Sequence, residues 1–138
     1  MDARQARGLL IAVHGIGSHG GNFNGLAAWL GRHGWAVWAP DLPGHGLQPE
    51  PRGWVPHWNA LGDAVADTRQ RAKAEHPDCP TVLLGHSLGG MVCVDLLLRQ
   101  PALAGDLAGL VLTNPAMDAA GIAPWRVLLA RWLAPLLP

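Results

Sequence analysis

TVLLGHSLGG, residues 81–90, begins as an apolar run and ends as a glycine-rich turn around Ser87. The first four residues have the length and apolar character of a strand that is buried on both faces. The segment that follows, Leu88 to Arg99, is apolar almost all round and stops before Pro101, which predicts a buried helix. The stretch therefore predicts a sharp turn from a strand into a helix, with a serine at its apex.

Gly85 and Gly89 stand two residues before and two residues after Ser87. Such a turn holds its apical residue in strained backbone geometry, and the glycines prevent the strand and the helix from colliding. The serine Oγ would project above the sheet, where the N–H of Leu88 can donate to an oxyanion at the helix N-terminus. We predict that Ser87 is the nucleophile of a serine hydrolase. His86 points away from Ser87 by strand alternation, so we interpret it as structural and not as the general base.

Three further apolar runs of strand length lie at Gly8–Val13, Trp35–Ala39 and Leu107–Thr113. Helical spacing of apolar residues begins at Phe23 and recurs from Trp58 to about residue 75. Strands and helices thus alternate along the chain, which predicts an α/β domain with a parallel sheet.

Five motifs of this chain resemble, in order and spacing, those of the monoacylglycerol lipase and lysophospholipase branch of the α/β-hydrolase superfamily. They are HGIGSH at 14–19, APDLPGHG at 39–46, RGWVP at 52–56, GHSLGG at 85–90 and NPA at 114–116. The resemblance implies an α/β-hydrolase fold, with flanking helices on a partial parallel sheet, and hydrolysis of a lipophilic carboxylic ester. It implies an oxyanion hole formed by the backbone N–H groups of Ile16 and Leu88, with His14 and Gly15 supporting the motif. It also implies that the strands lie in the sheet in the order second, first, third, fourth. The fourth strand is then an exposed apolar edge.

Residues 122–138 carry apolar side chains at helical spacing, including Trp125 and Trp132. By resemblance, 1–121 would be the N-terminal part of the hydrolase core, and 122–138 would begin a lid or cap helix. The residues themselves leave two alternatives open, an ordinary core helix and a helix whose tryptophans contact a membrane interface.

The proton-transfer groups of a serine hydrolase are missing from these 138 residues. A serine nucleophile needs a general base and an orienting acid, which in this fold follow the serine in the order acid, then histidine. The last histidine is His86; Asp106 is expected at the opposite end of the sheet from Ser87, and Asp118 has no histidine to orient. We therefore expect a truncated hydrolase whose acid and histidine lie beyond Pro138. Alone, it would have little or no esterase activity and would aggregate or require a complementing fragment. The second hypothesis is a non-catalytic α/β-hydrolase-fold module, either a pseudoenzyme or a partner-binding half.

A dinucleotide-binding site is the third hypothesis, because GIGSHG at 15–20 satisfies G-x-G-x-x-G after a strand and Asp41 ends the next strand. This pattern would indicate an NAD-dependent oxidoreductase. Two details weigh against it: helical spacing begins only at Phe23, and Asp41 is followed by a rigid turn that suits the capping of a loop. The hypothesis also leaves Ser87 without a role.

The chain carries ten basic and ten acidic residues with no block of like charge, so nothing indicates a nucleic-acid partner. Cys79 and Cys93 are too few for a disulfide framework or a zinc site, and no histidine pair has metal-ligand spacing, so we expect neither a metal nor a cofactor. The first eight residues lack the apolar region of a signal peptide. We expect a cytoplasmic protein with peripheral membrane contact through 122–138, and no obligate protein partner is identified.

Overall fold

The computed structural model describes residues 6–117, which form four strands, four α-helices and one 3-10 helix. In chain order these elements are β1 (Gly8–Val13), a 3-10 helix (Gly20–Phe23), α1 (Asn24–Arg32), β2 (Trp35–Trp38), α2 (Asn59–Glu75), β3 (Thr81–His86), α3 (Leu88–Arg99), α4 (Pro101–Gly105) and β4 (Gly109–Thr113). The predicted α/β architecture is confirmed. The predicted boundary at residue 121 and the predicted helix at 122–138 lie outside the described residues.

The four strands form one parallel sheet in the order β2-β1-β3-β4, as predicted from the family resemblance. Leu9 of β1 pairs with Ala36 of β2 on one side and with Thr81 of β3 on the other. Because parallel strands bring all their carboxyl ends to one edge of a sheet, the segments that follow β1, β2, β3 and β4 converge there. That edge holds Ser87 and the loop after β1, which carries Ile16 and which we call the oxyanion loop.

The core is built around β1, whose six residues are all buried, as expected for a central strand covered on both faces. Helices α2 and α3 pack against each other and against the central strands. They contribute Leu61, Val65 and Ala72 from α2, and Val92, Cys93 and Leu96 from α3. Leu42, from the turn after β2, is also fully buried, so the core holds this turn against the sheet.

Several predicted bounds were wrong by a few residues. Strand β3 continues to His86 instead of ending at residue 84, because Gly85 and His86 pair with Leu112 and Thr113 of β4. Strand β4 begins at Gly109 and not at residue 107. A short helix, α4, was missed because Pro101 was taken only as a stop; proline is also favoured at the first position of a helix, and here it both follows α3 and begins α4.

Apolar side chains of β4 and of α3 are among those exposed in the described part of the chain. Strand β4 forms an edge of the sheet, and Leu110, Val111 and Leu112 each expose more than a third of their surface, as predicted for an apolar edge. The expectation of a wholly buried α3 was wrong, because Leu98 on its outer face is largely exposed.

Candidate active site

Ser87 lies between the last residue of β3 and the first residue of α3, with φ 52° and ψ −117°. Of the described non-glycine residues, only Ser87 and Asn114 have a positive φ. Such a conformation costs about 1–3 kcal/mol and persists only when the surroundings over-determine it. The Ser87 N–H donates to the carbonyl of Thr113 (3.0 Å), and its own carbonyl accepts from the N–H groups of Gly90 (3.0 Å) and Ala116 (3.1 Å). Hydrogen bonds from both directions therefore hold the strained backbone in place.

Two glycines let the chain close around Ser87. A Cβ on Gly85 would lie 2.6 Å from the Gly89 carbonyl oxygen and from the Gly90 Cα. A Cβ on Gly89 would lie 2.5 Å from the carbonyl oxygen of His14. These distances are shorter than any real Cβ contact, so the strand-to-helix turn and its approach to the end of β1 both require glycine. The close approach predicted for Gly85 and Gly89 is thus present.

The loop after β1 lies directly against Ser87. A Cβ on Gly15 would sit 3.1 Å from the Ser87 Cβ, which places Ile16, the next residue, beside the serine. Leu88 is the first residue of α3, where a backbone N–H has no partner within the helix. The structure thus brings together Ser87 and the two residues predicted to supply the oxyanion hole.

His14 is a buried scaffold residue that ties the loop after β1 to the turn after β2. Its Nδ1–H donates to the Gly15 carbonyl (2.7 Å), and its Nε2 accepts from the Leu42 N–H (3.1 Å). Since Nε2 accepts a hydrogen bond, the ring is the neutral tautomer that carries its proton on Nδ1. Burial lowers the pKa of His14 and so favours this neutral form.

Asp41 is committed to two backbone N–H groups. Its Oδ1 accepts from Gly20 and its Oδ2 accepts from Leu47, both at 2.7 Å. Burial alone would raise the pKa of Asp41, but these two hydrogen bonds outweigh it and the pKa lies below its usual value. The carboxylate therefore caps a loop and is not free for a ribose. The 3-10 helix further separates the G-x-G-x-x-G stretch from α1, unlike a dinucleotide fold.

The other candidate acid–base residues lie away from Ser87 or are already paired. His86 is exposed, and its Nδ1 lies 3.0 Å from the Thr113 Oγ1. Asp106 caps α4, ahead of β4, and is paired with Arg69 of α2. Burial raises the pKa of the Cys93 thiol to about 12, so this cysteine is not a thiolate at neutral pH. Asp118 lies outside the described residues.

A groove of about 750 Å³ opens beside the oxyanion loop. Its walls come from two loops, at 16–21 and at 41–53, and include Ile16, Leu47, His45 and Arg52. Ile16 lines the groove but Ser87 does not, so the groove lies beside the serine and is not centred on it. Sequence reasoning missed this groove, because it forms only when two loops 20 residues apart meet. Within residues 6–117, no three His, Cys, Asp or Glu side chains cluster as metal ligands, and no helix could span a membrane.

Comparison with known proteins gives a consistent result. A family model described as serine aminopeptidase, S33, matches residues 4–138. The monoacylglycerol lipase of Mycolicibacterium smegmatis is 34% identical over 136 residues, which cover 96% of this chain and 46% of the relative. Human monoglyceride lipase is 31% identical over 134 residues, which cover 96% of this chain and 43% of the relative.

Solved structures agree with these relatives. The crystal structure of a Paleococcus ferrophilus monoacylglycerol lipase superposes with a TM-score of 0.74 at 28% identity, covering 94% of this chain and 47% of that one. The chain therefore spans about half the length of the curated relatives it matches.

Proposed function

The chain belongs to the serine aminopeptidase S33 family of the α/β-hydrolases and is of the monoacylglycerol lipase type, and on this basis we propose that Ser87 is its nucleophile. We propose that the reaction is hydrolysis of a lipophilic carboxylic ester. The single observation that carries the proposal is the backbone of Ser87, which is strained at φ 52° where a strand turns into a helix. Strain of this kind concentrates at functional sites, and this turn is the one that presents a nucleophilic serine in α/β-hydrolases.

The oxyanion hole consists, in this proposal, of the N–H groups of Ile16 and Leu88. The Leu88 N–H, at the first position of α3, has no partner within that helix. The close approach of Gly15 to Ser87 brings the next residue, Ile16, to the same site. His14 holds this loop in place through its two hydrogen bonds. Removal of one such donor from a serine hydrolase costs about 3–4 kcal/mol of transition-state stabilisation.

The reaction begins when the Ser87 Oγ bonds to the ester carbonyl carbon and the carbonyl π electrons move to the oxygen, which the two N–H groups stabilise. The tetrahedral intermediate then collapses to an acyl-serine, and the alcohol leaves with a proton. Water attacks the acyl-serine and releases the carboxylic acid. Each of the two steps, acylation and deacylation, needs a base: the first takes a proton from Ser87 and the second takes a proton from water.

The printed sequence holds no histidine after His86, and His86 itself is placed against Thr113. His14 cannot serve, because both of its ring nitrogens are engaged in the scaffold. We therefore expect the 138-residue polypeptide on its own to turn over esters slowly, whatever the activity of a longer protein that contains it.

The substrate class rests on the relatives and on the groove. The relatives named above are a monoacylglycerol lipase and a monoglyceride lipase. The groove beside the loop after β1 has two exposed apolar residues, Ile16 and Leu47. An apolar groove next to a nucleophile is suited to a lipophilic substrate.

The test requires a chain that can complete the proton transfer. Residues 1–138 are joined to the part of the M. smegmatis relative that follows the aligned region, and hydrolysis of p-nitrophenyl butyrate and of a monoacylglycerol is measured. We expect activity in the chimera, its loss in Ser87→Ala, and little turnover by the 138-residue chain alone. Activity that survives Ser87→Ala in the chimera would falsify the role of Ser87.

A non-catalytic module is the second candidate, because no base for Ser87 is identified among the described residues. It predicts that a soluble chimera with the native-like fold, checked by circular dichroism, hydrolyses no ester and that a fluorophosphonate probe does not label Ser87. Labelling of the chimera at Ser87 excludes this alternative.

A further inference from the structure

The segment that follows β4 encloses the backbone of Ser87. The Ser87 N–H donates to the Thr113 carbonyl (3.0 Å), and the Ser87 carbonyl accepts from the Ala116 N–H (3.1 Å). The peptide groups on both sides of Ser87 are thus bound to the same short stretch of chain. We refer to Asn114, Pro115 and Ala116 as the 114–116 turn.

The 114–116 turn adds one residue to the ladder between β3 and β4. In a parallel ladder, a residue that bonds to the neighbouring strand donates its N–H to the residue before its partner, and its carbonyl accepts from the residue after it. His86 pairs with Thr113, so Ser87 stands opposite residue 114 and its carbonyl would accept from residue 115. That residue is Pro115, which has no N–H. The Ala116 N–H makes the bond instead, so two residues of the turn oppose Ser87, as in a β-bulge.

Asn114 and Gly90 make this bulge possible. Asn114 has φ 46°, a left-handed conformation that asparagine tolerates better than most residues and that a β-branched residue rarely adopts. A Cβ on Gly90 would lie 2.9 Å from the Pro115 Cβ, so the absence of a side chain there lets Pro115 pack against the first turn of α3. Because the Asn114 side chain is exposed, this position contributes its backbone conformation and not a buried contact.

The hydrogen bond from Ala116 fixes the peptide group that carries a proposed oxyanion donor. The Ser87 carbonyl and the Leu88 N–H belong to one planar trans peptide, in which they point in opposite directions. The carbonyl also accepts from the N–H groups of Gly90 (3.0 Å) and Met91 (3.3 Å), both in α3. Among the described residues, Ala116 is the one backbone donor to this carbonyl from outside that helix. Each bond that the carbonyl accepts also polarises the peptide group and makes its N–H a better donor.

We propose that Asn114 is a positioning residue of the oxyanion hole. Its left-handed backbone brings the Ala116 N–H to the Ser87 carbonyl, and this hydrogen bond holds the Leu88 N–H towards the place where an oxyanion forms. The inference deepens the proposed function, on which it rests for the role of Leu88. It assigns a role to the segment after β4, which the proposed oxyanion hole does not otherwise use.

A single NMR signal reports on this peptide group in the full 138-residue chain. The chain has two serines, and only Ser87 is followed by a leucine. Isotope labels at the carbonyl carbon of serine and at the amide nitrogen of leucine therefore meet in one peptide bond, which gives one peak in a carbonyl-to-amide correlation. Aggregates are removed by centrifugation before the measurement.

We expect Asn114→Val to move this peak, because a β-branched residue disfavours a positive φ and the hydrogen bond from Ala116 is then lost. Asn114→Gly should leave the peak in place, because glycine adopts this φ without steric cost. Asn24→Val is the matched control, since Asn24 is also exposed but has φ −56°, which valine adopts readily. It should leave the peak unchanged.

The catalytic consequence is measured in the chimera described above. We expect Asn114→Val to lower kcat for p-nitrophenyl butyrate by up to about 10²–10³-fold, the effect of removing one oxyanion donor, with KM little changed. Asn114→Gly should retain most of kcat, and Asn24→Val should retain all of it. Circular dichroism melting confirms that each variant is folded, and Asn114→Ala replaces Asn114→Val if the latter does not fold.

The proposal is overturned if the Ser87–Leu88 peak of folded Asn114→Val coincides with that of the wild type, or if kcat of this variant is unchanged. It is also overturned if Asn114→Gly loses as much kcat as Asn114→Val, because the side chain and not the backbone would then act. An inactive wild-type chimera contradicts the proposed function instead. In that case the Ser87–Leu88 peak alone decides whether Asn114 positions the peptide group.

Discussion

Replacement of Ser87 by glycine should make the protein more stable than replacement by alanine. At φ 52° and ψ −117° the serine Cβ is strained, whereas glycine adopts this conformation without steric cost. Relief of the strain should stabilise the folded protein by about 1–3 kcal/mol. The greater conformational freedom of glycine in the unfolded chain should destabilise the folded protein by about 0.4–1 kcal/mol. With the middle of each range, the free energy of unfolding of Ser87→Gly should exceed that of Ser87→Ala by about 1.3 kcal/mol.

Urea denaturation followed by circular dichroism measures this difference, because both variants remove the hydroxyl and differ only in the Cβ. Ser18 supplies the control pair, since it lies in the neighbouring loop and its φ is not positive. There the order should reverse, with alanine more stable than glycine by about 0.4–1 kcal/mol. If Ser87→Gly is no more stable than Ser87→Ala, the strained backbone is not a property of the folded protein, and the main argument for a nucleophile at this position is lost.

Three further predictions follow from the same contacts. Gly89→Ala should destabilise the fold by about 3 kcal/mol or prevent folding, because the new Cβ meets the His14 carbonyl. Gly25→Ala is the control and should be tolerated, because no atom lies within 4 Å of its Cβ. Thermal melting compares the two variants. The stability supplied by the neutral His14 should be constant above about pH 6.5 and fall as the pH decreases below it, because the unfolded chain takes up the proton first. The urea midpoint should therefore depend less on pH in His14→Gln than in the wild type. The exposed His33→Gln is the control and should leave this dependence unchanged. Val111→Lys on the exposed β4 edge should reduce self-association in sedimentation velocity, whereas Leu98→Lys, on the outer face of α3, should do so less if strand pairing is the cause.

Local patterns were sufficient to predict the strands of the sheet and the strand-to-helix turn at Ser87. The run Gly8–Val13 was predicted to the residue, because a strand buried on both faces has no polar position at which its end is ambiguous. The position of Ser87 at the turn could also be predicted from local sequence, because the contacts that require Gly85 lie within the same turn. The strand order came from the family resemblance and not from the residues alone.

Features that depend on distant contacts could not be predicted in the same way. Asp41 was correctly interpreted as a loop cap, but its two partners, Gly20 and Leu47, lie 21 residues before it and 6 after it, and no spacing rule joins them. The exposure of Leu47 could not be predicted for the same reason, because it depends on how two separate loops meet. The groove follows from these contacts and was therefore missed with them.

The division of the site along the chain has a structural cause. Ser87 and Leu88 follow β3, and Ile16 follows β1, which is the neighbour of β3 at the centre of the sheet. The strained serine and the two proposed N–H donors therefore come from these adjacent strands and the start of α3. Among the described residues no general base for Ser87 is identified, and both ring nitrogens of His14 are already engaged. In our proposal, the nucleophile and the oxyanion hole are therefore preorganised by the described residues. We expect the proton-transfer groups to come from another segment, and for that reason the chimera, more than the 138-residue chain, decides whether Ser87 is catalytic.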